Sequence, residues 1–327
     1  MIFKGKTILL TGGTGSFGKA FTQRILNNYD IKKLIIYSRD ELKQFEMKQY
    51  YENEDRIRFF IGDVRDKERL HRALNGVDVV IHSAALKQIP AAEYNPFEAV
   101  NTNIIGAQNI INTAIDNKVE KVVALSTDKA ANPVNLYGAT KLVSDKLFIN
   151  GNYYATGGTK FCVVRYGNVV GSRGSVIPYF KELIEKGEKV LPVTHPDMTR
   201  FWITLDQGIN LVIKALTLTK GREIFIPKIP SMKVTDLAKA IDTNCQIKII
   251  GIRPGEKIHE TLIPEEDARR TIQFEDYFII QPDSHPFAPA YEPLDKDGKP
   301  LPEGFVYSSN LNDWWLKPEE LKEMIYG

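Results

Sequence analysis

A glycine stands at every third position just after the chain's first apolar run. Thr7–Leu10 leads directly into Thr11-Gly12-Gly13-Thr14-Gly15-Ser16-Phe17-Gly18. At a junction between a strand and a helix this spacing has a mechanism. Gly12 permits the tight turn, Gly15 lets the backbone approach a pyrophosphate, and Gly18 lets the helix pack closely on the strand. Thr14, Ser16 and Phe17 fill the turn at the positive end of the helix dipole and are expected to contact the same ligand.

The rest of the first half fits that junction. Apolar runs at Thr7–Leu10, Lys33–Tyr37, Ile57–Ile61, Asp78–Ile81, Lys121–Leu125 and Phe161–Val164 alternate with stretches of helical spacing at Gly18–Asn28, Glu41–Tyr51 and Pro96–Ile115. Alternation of this kind predicts an α/β fold with a doubly wound, parallel, Rossmann-type sheet. Beyond about Gly171 proline becomes more frequent and the buried-strand runs thin out. A smaller C-terminal lobe is expected there, with some of its strands returning to the main sheet. A helix is expected after Thr204, another capped by Thr235, and a last one opened by Pro318, with His285–Gly304 read as loop.

Candidate chemistry sits where the strands end. Ser38 and Arg39 follow the second strand, and with Lys43 they suit a ribose 2′-phosphate better than free ribose hydroxyls, which points to NADP. Asp63 and Val64 are expected to flank the adenine, and Ala84 and Ala85 to line the cofactor with small side chains. Thr127, Asp128 and Lys129 end the fifth strand. Tyr137 and Lys141 follow four residues apart, on one helix face, where the lysine is expected to lower the tyrosine's pKa and make it a base.

Charge and composition remove other classes. Lys and Arg total 43 against 41 Asp and Glu, so nothing attracts nucleic acid or an anionic membrane, and no apolar stretch is long enough to span a bilayer. Two cysteines, Cys162 and Cys245, build no disulfide framework and favour a reducing cytoplasm. The five histidines show no metal spacing, and no metal is expected.

With the glycine turn at Thr11–Gly18, Asn103, Thr127 and the Tyr137/Lys141 pair in order, the chain resembles the extended short-chain dehydrogenase/reductases that act on nucleotide sugars. Within that family Asp128-Lys129 resembles the dehydratases of UDP-N-acetylglucosamine and related epimerases, where thymidine-diphosphate-glucose dehydratases carry Asp-Glu; a retaining dehydratase or a UDP-N-acetylhexosamine epimerase is the alternative reading. Related 5-epimerases carry methionine where this chain has Tyr137. The strings Tyr37–Lys43, Phe60–Asp66, Leu125–Asn132, Arg165–Gly174 and Arg253–Lys257 resemble the inverting dehydratase branch, which opens pseudaminic acid synthesis for flagellin glycosylation.

The resemblance implies an NADP-binding domain over residues 1–170 and a nucleotide-sugar-binding lobe over 171–327. It implies contacts from Thr127 and Tyr137 to the sugar hydroxyl, and from Lys141, Asn103 and Val169 to the cofactor. Lys129, neutral through burial and the nearness of Lys141, is expected as the base at C5, and Asp128, protonated, as the acid toward the 6-hydroxyl. UDP-N-acetylglucosamine is expected to meet Lys87, Asn168, Arg173, Val176 and Arg253, the arginines facing the diphosphate. His259 and Glu260 are placed on a helix start with contact to substrate not expected. The resemblance also implies a homo-oligomer, a dimer or larger.

Overall fold

The computed structural model describes residues 2–283, 291, 294 and 297–326. Six strands open the chain: β1 (Thr7–Thr11), β2 (Lys33–Ser38), β3 (Ile57–Ile61), β4 (Val79–His82), β5 (Lys121–Thr127) and β6 (Lys160–Tyr166). They pair in parallel in the order β3-β2-β1-β4-β5-β6. Helices α1 (Ser16–Asn28), α2 (Glu41–Tyr50) and α3 (Lys67–Ala73) make the first crossovers. Central β1 and β4 are buried throughout, which is why their sequences are continuously apolar rather than alternating. The run at β3 lies at the sheet's outer edge and is only partly covered.

The sheet continues past β6 with residues from late in the chain. Ile224–Pro227 adds in parallel to β6, Tyr277–Ile280 pairs antiparallel with it, and Thr271–Gln273 and Lys299–Pro300 complete ten strands. The last of these falls inside the stretch read as loop at His285–Gly304; residues 285–290, 292, 293, 295 and 296 of that stretch lie outside the described residues.

A second apolar cluster, with Ile177, Phe180, Leu191, Trp202, Leu237 and Leu321 at its heart, lies under a small sheet of Ser231–Lys233, Thr199–Ile203 and Asn168–Val169. Thr204 caps the helix Leu205–Leu218 through a capping box with Gln207. Thr235 does not act as a cap, because the helix already begins at Val234 after Lys233. Pro318 starts the final helix, Pro318–Tyr326.

The stretch Pro96–Ile115 is helical but not one α-helix. Pro96–Val100 and Gly106–Asp116 are joined through a π turn at Asn101–Ile105. The wider turn adds a residue without breaking the apolar stripe, and the buried Asn103 sits within it.

Candidate active site

The turn between β1 and α1 has the conformation its glycines predict. Gly12 has φ +66°, and a Cβ at Gly18 would lie 2.3 Å from the Gly13 carbonyl oxygen, so α1 meets the strand end with no room for a side chain. No side chain caps α1, whose N-terminal amides remain for a ligand. The order of β1 and β4, with the chain leaving in opposite directions, opens a crevice at the strands' carboxyl ends.

A cleft of about 1070 Å³ fills that crevice. It runs from Gly12, Thr14, Gly15, Ser16, Phe17 and Gly18, past Ser38, Arg39, Lys43, Asp63, Val64, Ala84 and Ala85, to Lys87, Thr127, Lys129, Tyr137, Lys141, Asn168, Val169, Arg173, Val176 and Arg253. Nearly all the residues singled out in sequence thus meet in one cavity, with two exceptions.

Asn103 is the first. Its side chain exchanges two hydrogen bonds with the Leu86 backbone, both 2.9 Å, and donates to Thr140 Oγ1 at 3.0 Å. Its side-chain amide is engaged there, so Asn103 secures the loop after β4 from outside the cleft lining. Asp128 is the second exception. It is fully buried behind the cleft wall, where Oδ1 accepts from Thr127 Oγ1 at 2.9 Å and from Lys129 Nζ at 3.0 Å, while Oδ2 has no partner. It reaches the cleft only through those two neighbours.

The electrostatics revise two expectations. Burial pushes the Tyr137 phenol up to about 12, and what opposes the rise is the Lys129 ammonium and a hydrogen bond with Thr127, not Lys141. Lys141 Nζ donates to the Leu125 carbonyl at 2.7 Å, and its own pKa is lowered by burial. Lys129 is not made neutral by its surroundings. Burial lowers its pKa, but the Asp128 and Glu260 carboxylates on either side more than reverse this and hold it above the usual lysine value. Asp128 moves as expected, upward, through burial and the nearby Glu260. The resting cluster therefore favours a charged Lys129 held between two carboxylates, of which Asp128 is the one with a raised pKa.

Two regions of the cleft fit anionic groups. At one, Arg39 is largely exposed and 3.7 Å from Asp63, while Asp40 is occupied in capping α2 and pairing with Lys43. A ribose phosphate fits that donor set. At the other, helix Val176–Glu185 lacks a side-chain cap, and Asn168 Oδ1 and Ser175 Oγ are buried without partners. Arg173 and Arg253 line the cleft beside them, Arg253 only loosely paired with Glu256 at 3.9 Å, and Lys87 Nζ donates to the Arg173 carbonyl at 3.1 Å. This set suits a diphosphate. Among the described residues no group of three or more His, Cys, Asp and Glu side chains is placed to hold a metal, and no helix is long and apolar enough to cross a membrane.

The profile of the polysaccharide biosynthesis protein family matches residues 8–282. The chain belongs to the polysaccharide biosynthesis protein family. As the motifs imply, this places it among the extended short-chain dehydrogenase/reductases. It is similar to "UDP-N-acetylglucosamine 4,6-dehydratase (inverting)" of Campylobacter jejuni, with 54% identity over 329 residues, 99% of this chain and 98% of the relative. It is 44% identical over 290 residues to a "UDP-glucose 4-epimerase" of Rickettsia conorii, covering 86% and 84% of the two chains. A solved structure, "Pen from Bacillus thuringiensis", superposes with a TM-score of 0.88 at 38% identity and 99% coverage of both chains.

Three residues around Lys129 carry no role in the sequence reading of this member of the polysaccharide biosynthesis protein family. Glu260, on no helix but just ahead of the strand Thr261–Ile263, places Oε1 3.0 Å from Lys129 Nζ. Arg200 Nε lies 3.7 Å from the same oxygen, and Lys257 Nζ donates to the Ala131 carbonyl at 2.6 Å. His259 turns away to Thr199 Oγ1, 2.8 Å distant. The signal available in sequence was the string Arg253–Lys257, which announces charge but not its partner.

Proposed function

We propose that this protein converts UDP-N-acetylglucosamine to UDP-2-acetamido-2,6-dideoxy-L-arabino-hex-4-ulose, using NADP regenerated in each turnover. The product suits the opening of pseudaminic acid synthesis for flagellin glycosylation. The observation that carries the reading is the ion pair of buried Asp128 with the cleft-lining Lys129 beside Tyr137 at the end of β5, an acid–base unit that simple hydride exchange at C4 does not need. The likeness to the dehydratase of C. jejuni over almost the whole chain supports it.

A nicotinamide held in the cleft would supply the hydride acceptor for C4 and the hydride donor for C6. Gly12 to Gly18 would hold its pyrophosphate, Arg39 and Ser38 its ribose phosphate, and Lys141 its nicotinamide ribose. Tyr137 takes the proton of the 4-hydroxyl as the ketone forms, and the ketone acidifies C5. Lys129, on the cleft wall, takes the C5 proton once it has passed its own to the Asp128 carboxylate 3.0 Å away. Asp128, one hydrogen bond behind Lys129 and Thr127, stores the proton that leaves with the 6-hydroxyl as water. A proton delivered to the opposite face of C5 inverts that centre. Arg173, Arg253, Lys87, Asn168 and Val176 hold the UDP-sugar.

Incubation with UDP-N-acetylglucosamine in D₂O without added cofactor, followed by proton NMR, tests the reading. A 6-deoxy-4-keto sugar with deuterium at C5 and the L-arabino coupling pattern is expected. The D-xylo pattern from the earliest time point would reject inversion. A 4-epimer without keto sugar would move the enzyme to the isomerases, the activity named for the R. conorii relative.

Arg39→Ala tests the cofactor assignment. Losing a charge-assisted contact worth roughly 1.5–3 kcal/mol is expected to weaken NADP binding by at least about tenfold and leave NAD binding little changed. Equal losses for both dinucleotides would overturn the NADP preference.

A further inference from the structure

Lys129 is gripped from two halves of the chain. Asp128 comes from the turn after β5, whereas Glu260 arrives 132 positions later, and each places a carboxylate oxygen 3.0 Å from Nζ. Both carboxylates are almost wholly buried, and each keeps one oxygen, Asp128 Oδ2 and Glu260 Oε2, without a partner. Glu260 is itself held in place. Its backbone N–H donates to Ser309 Oγ at 3.0 Å, and its carbonyl accepts from the Ser309 backbone at 2.8 Å. Arg200, which faces its carboxylate, is fixed by donation to the carbonyls of Lys257 and Ile258 at 2.9 and 3.0 Å. A buried carboxylate so anchored is costly unless its charge is used.

We propose that Glu260 is the positioning residue of the proton-transfer pair, fixing where the Lys129 ammonium points and the pH at which Lys129 can take up a proton. The role in turnover rests on the dehydratase reading; the hold on Lys129 does not. The charged or titratable groups around Lys129 are Asp128 on its own turn, Tyr137 on the helix Leu136–Tyr154, Lys87 after β4, Arg200 on the strand Thr199–Ile203, and Lys257 and Glu260. Glu260 is the one anion among them contributed from outside the turn. Its charge raises the pKa of Lys129 and of Asp128 together, so its removal lowers both.

Glu260→Gln keeps the shape and an acceptor oxygen while removing the charge, and Glu260→Asp restores the charge on a shorter arm. Competitive acetylation across pH, read by peptide mass spectrometry on the full chain without substrate, reports the titration of Lys129 in each protein. In Glu260→Gln the Lys129 titration is expected to fall by about one unit or more, as for loss of an opposite charge at this range. The kcat–pH profile for keto-sugar formation is expected to move to lower pH with it, with KM changed much less than kcat, and Glu260→Asp is expected to return the profile toward wild type. An unchanged Lys129 titration overturns the proposal whatever the wild type does with UDP-N-acetylglucosamine. So does a loss of kcat at every pH with the profile in place, because a merely structural glutamate would behave that way. A lowered Lys129 titration in a protein whose wild type makes no keto sugar supports Glu260 as the positioner of Lys129 and rejects the dehydratase reading instead.

Discussion

Alanine in place of Lys129 is expected to lower kcat for keto-sugar formation by about 10²–10⁴-fold, the usual contribution of a positioned acid or base. Lys129 is the one member of the Asp128–Lys129–Glu260 group that both lines the cleft and touches the other two. Cofactor affinity should hold, because the glycine turn and Arg39 lie at the far end of the cleft from this group. Removing the ammonium also leaves two buried carboxylates facing one another, which costs stability until one takes a proton. Lys129→Arg should not rescue, because a guanidinium does not deprotonate at any working pH. Steady-state turnover and dinucleotide binding measured together on the folded variants check this, and wild-type turnover in Lys129→Ala would refute the assignment.

Leucine at Arg165 is expected to produce the largest loss of stability, about 3–5 kcal/mol, as for a buried ion pair broken on one side. Arg165 and Asp145 are each 2% exposed and lie 3.4 Å apart, and Arg165 also approaches Asp267 at 3.5 Å and donates to the Leu262 carbonyl at 3.1 Å. Ser126 Oγ donates to Asp145 at 2.7 Å, a smaller compensation than the guanidinium. Burial already raises the Asp145 pKa against the pull of Arg165. A carboxyl with a raised folded pKa loses stability as pH climbs from its unfolded pKa through its folded one. Without Arg165 the folded pKa rises further, so the variant's deficit should grow with pH across that window and shrink toward acid. Urea unfolding at several pH values checks both size and sign; a deficit independent of pH would show that Asp145 is not the group left uncompensated.

The parallel sheet was legible because each of its first six strands carries its own apolar signal. The edge strand Lys299–Pro300 was not, since two polar or ring-constrained residues paired to Thr271–Gln273 leave no pattern along the chain. Likewise the π turn at Asn101–Ile105 preserves helical apolar spacing, and so hid the burial that ties Asn103 to the Leu86 backbone. At the site, motifs placed Tyr137, Lys141, Thr127 and Lys129 on one cleft wall. Their protonation was misjudged for a physical reason. Sequence shows which charges are neighbours in the chain, whereas Glu260, the second of the two carboxylates that hold Lys129 charged, is a neighbour only in space. Asp128 looked like a cleft residue for the same reason, as spacing along a strand end does not reveal which side chain turns behind the wall.

The late arrival of the strand Ile224–Pro227 bears on synthesis. On the ribosome β1 to β6 emerge well before the segment that covers the flank of β6, so the nascent sheet waits with an open, apolar edge while nearly sixty more residues are translated, as the interval from Tyr166 to Ile224 requires. An uncovered flank of this kind invites pairing with other chains, and long-range closure of this sort is slow. Translation speed and chaperone supply, rather than final stability, should therefore govern how much of this chain reaches its working form.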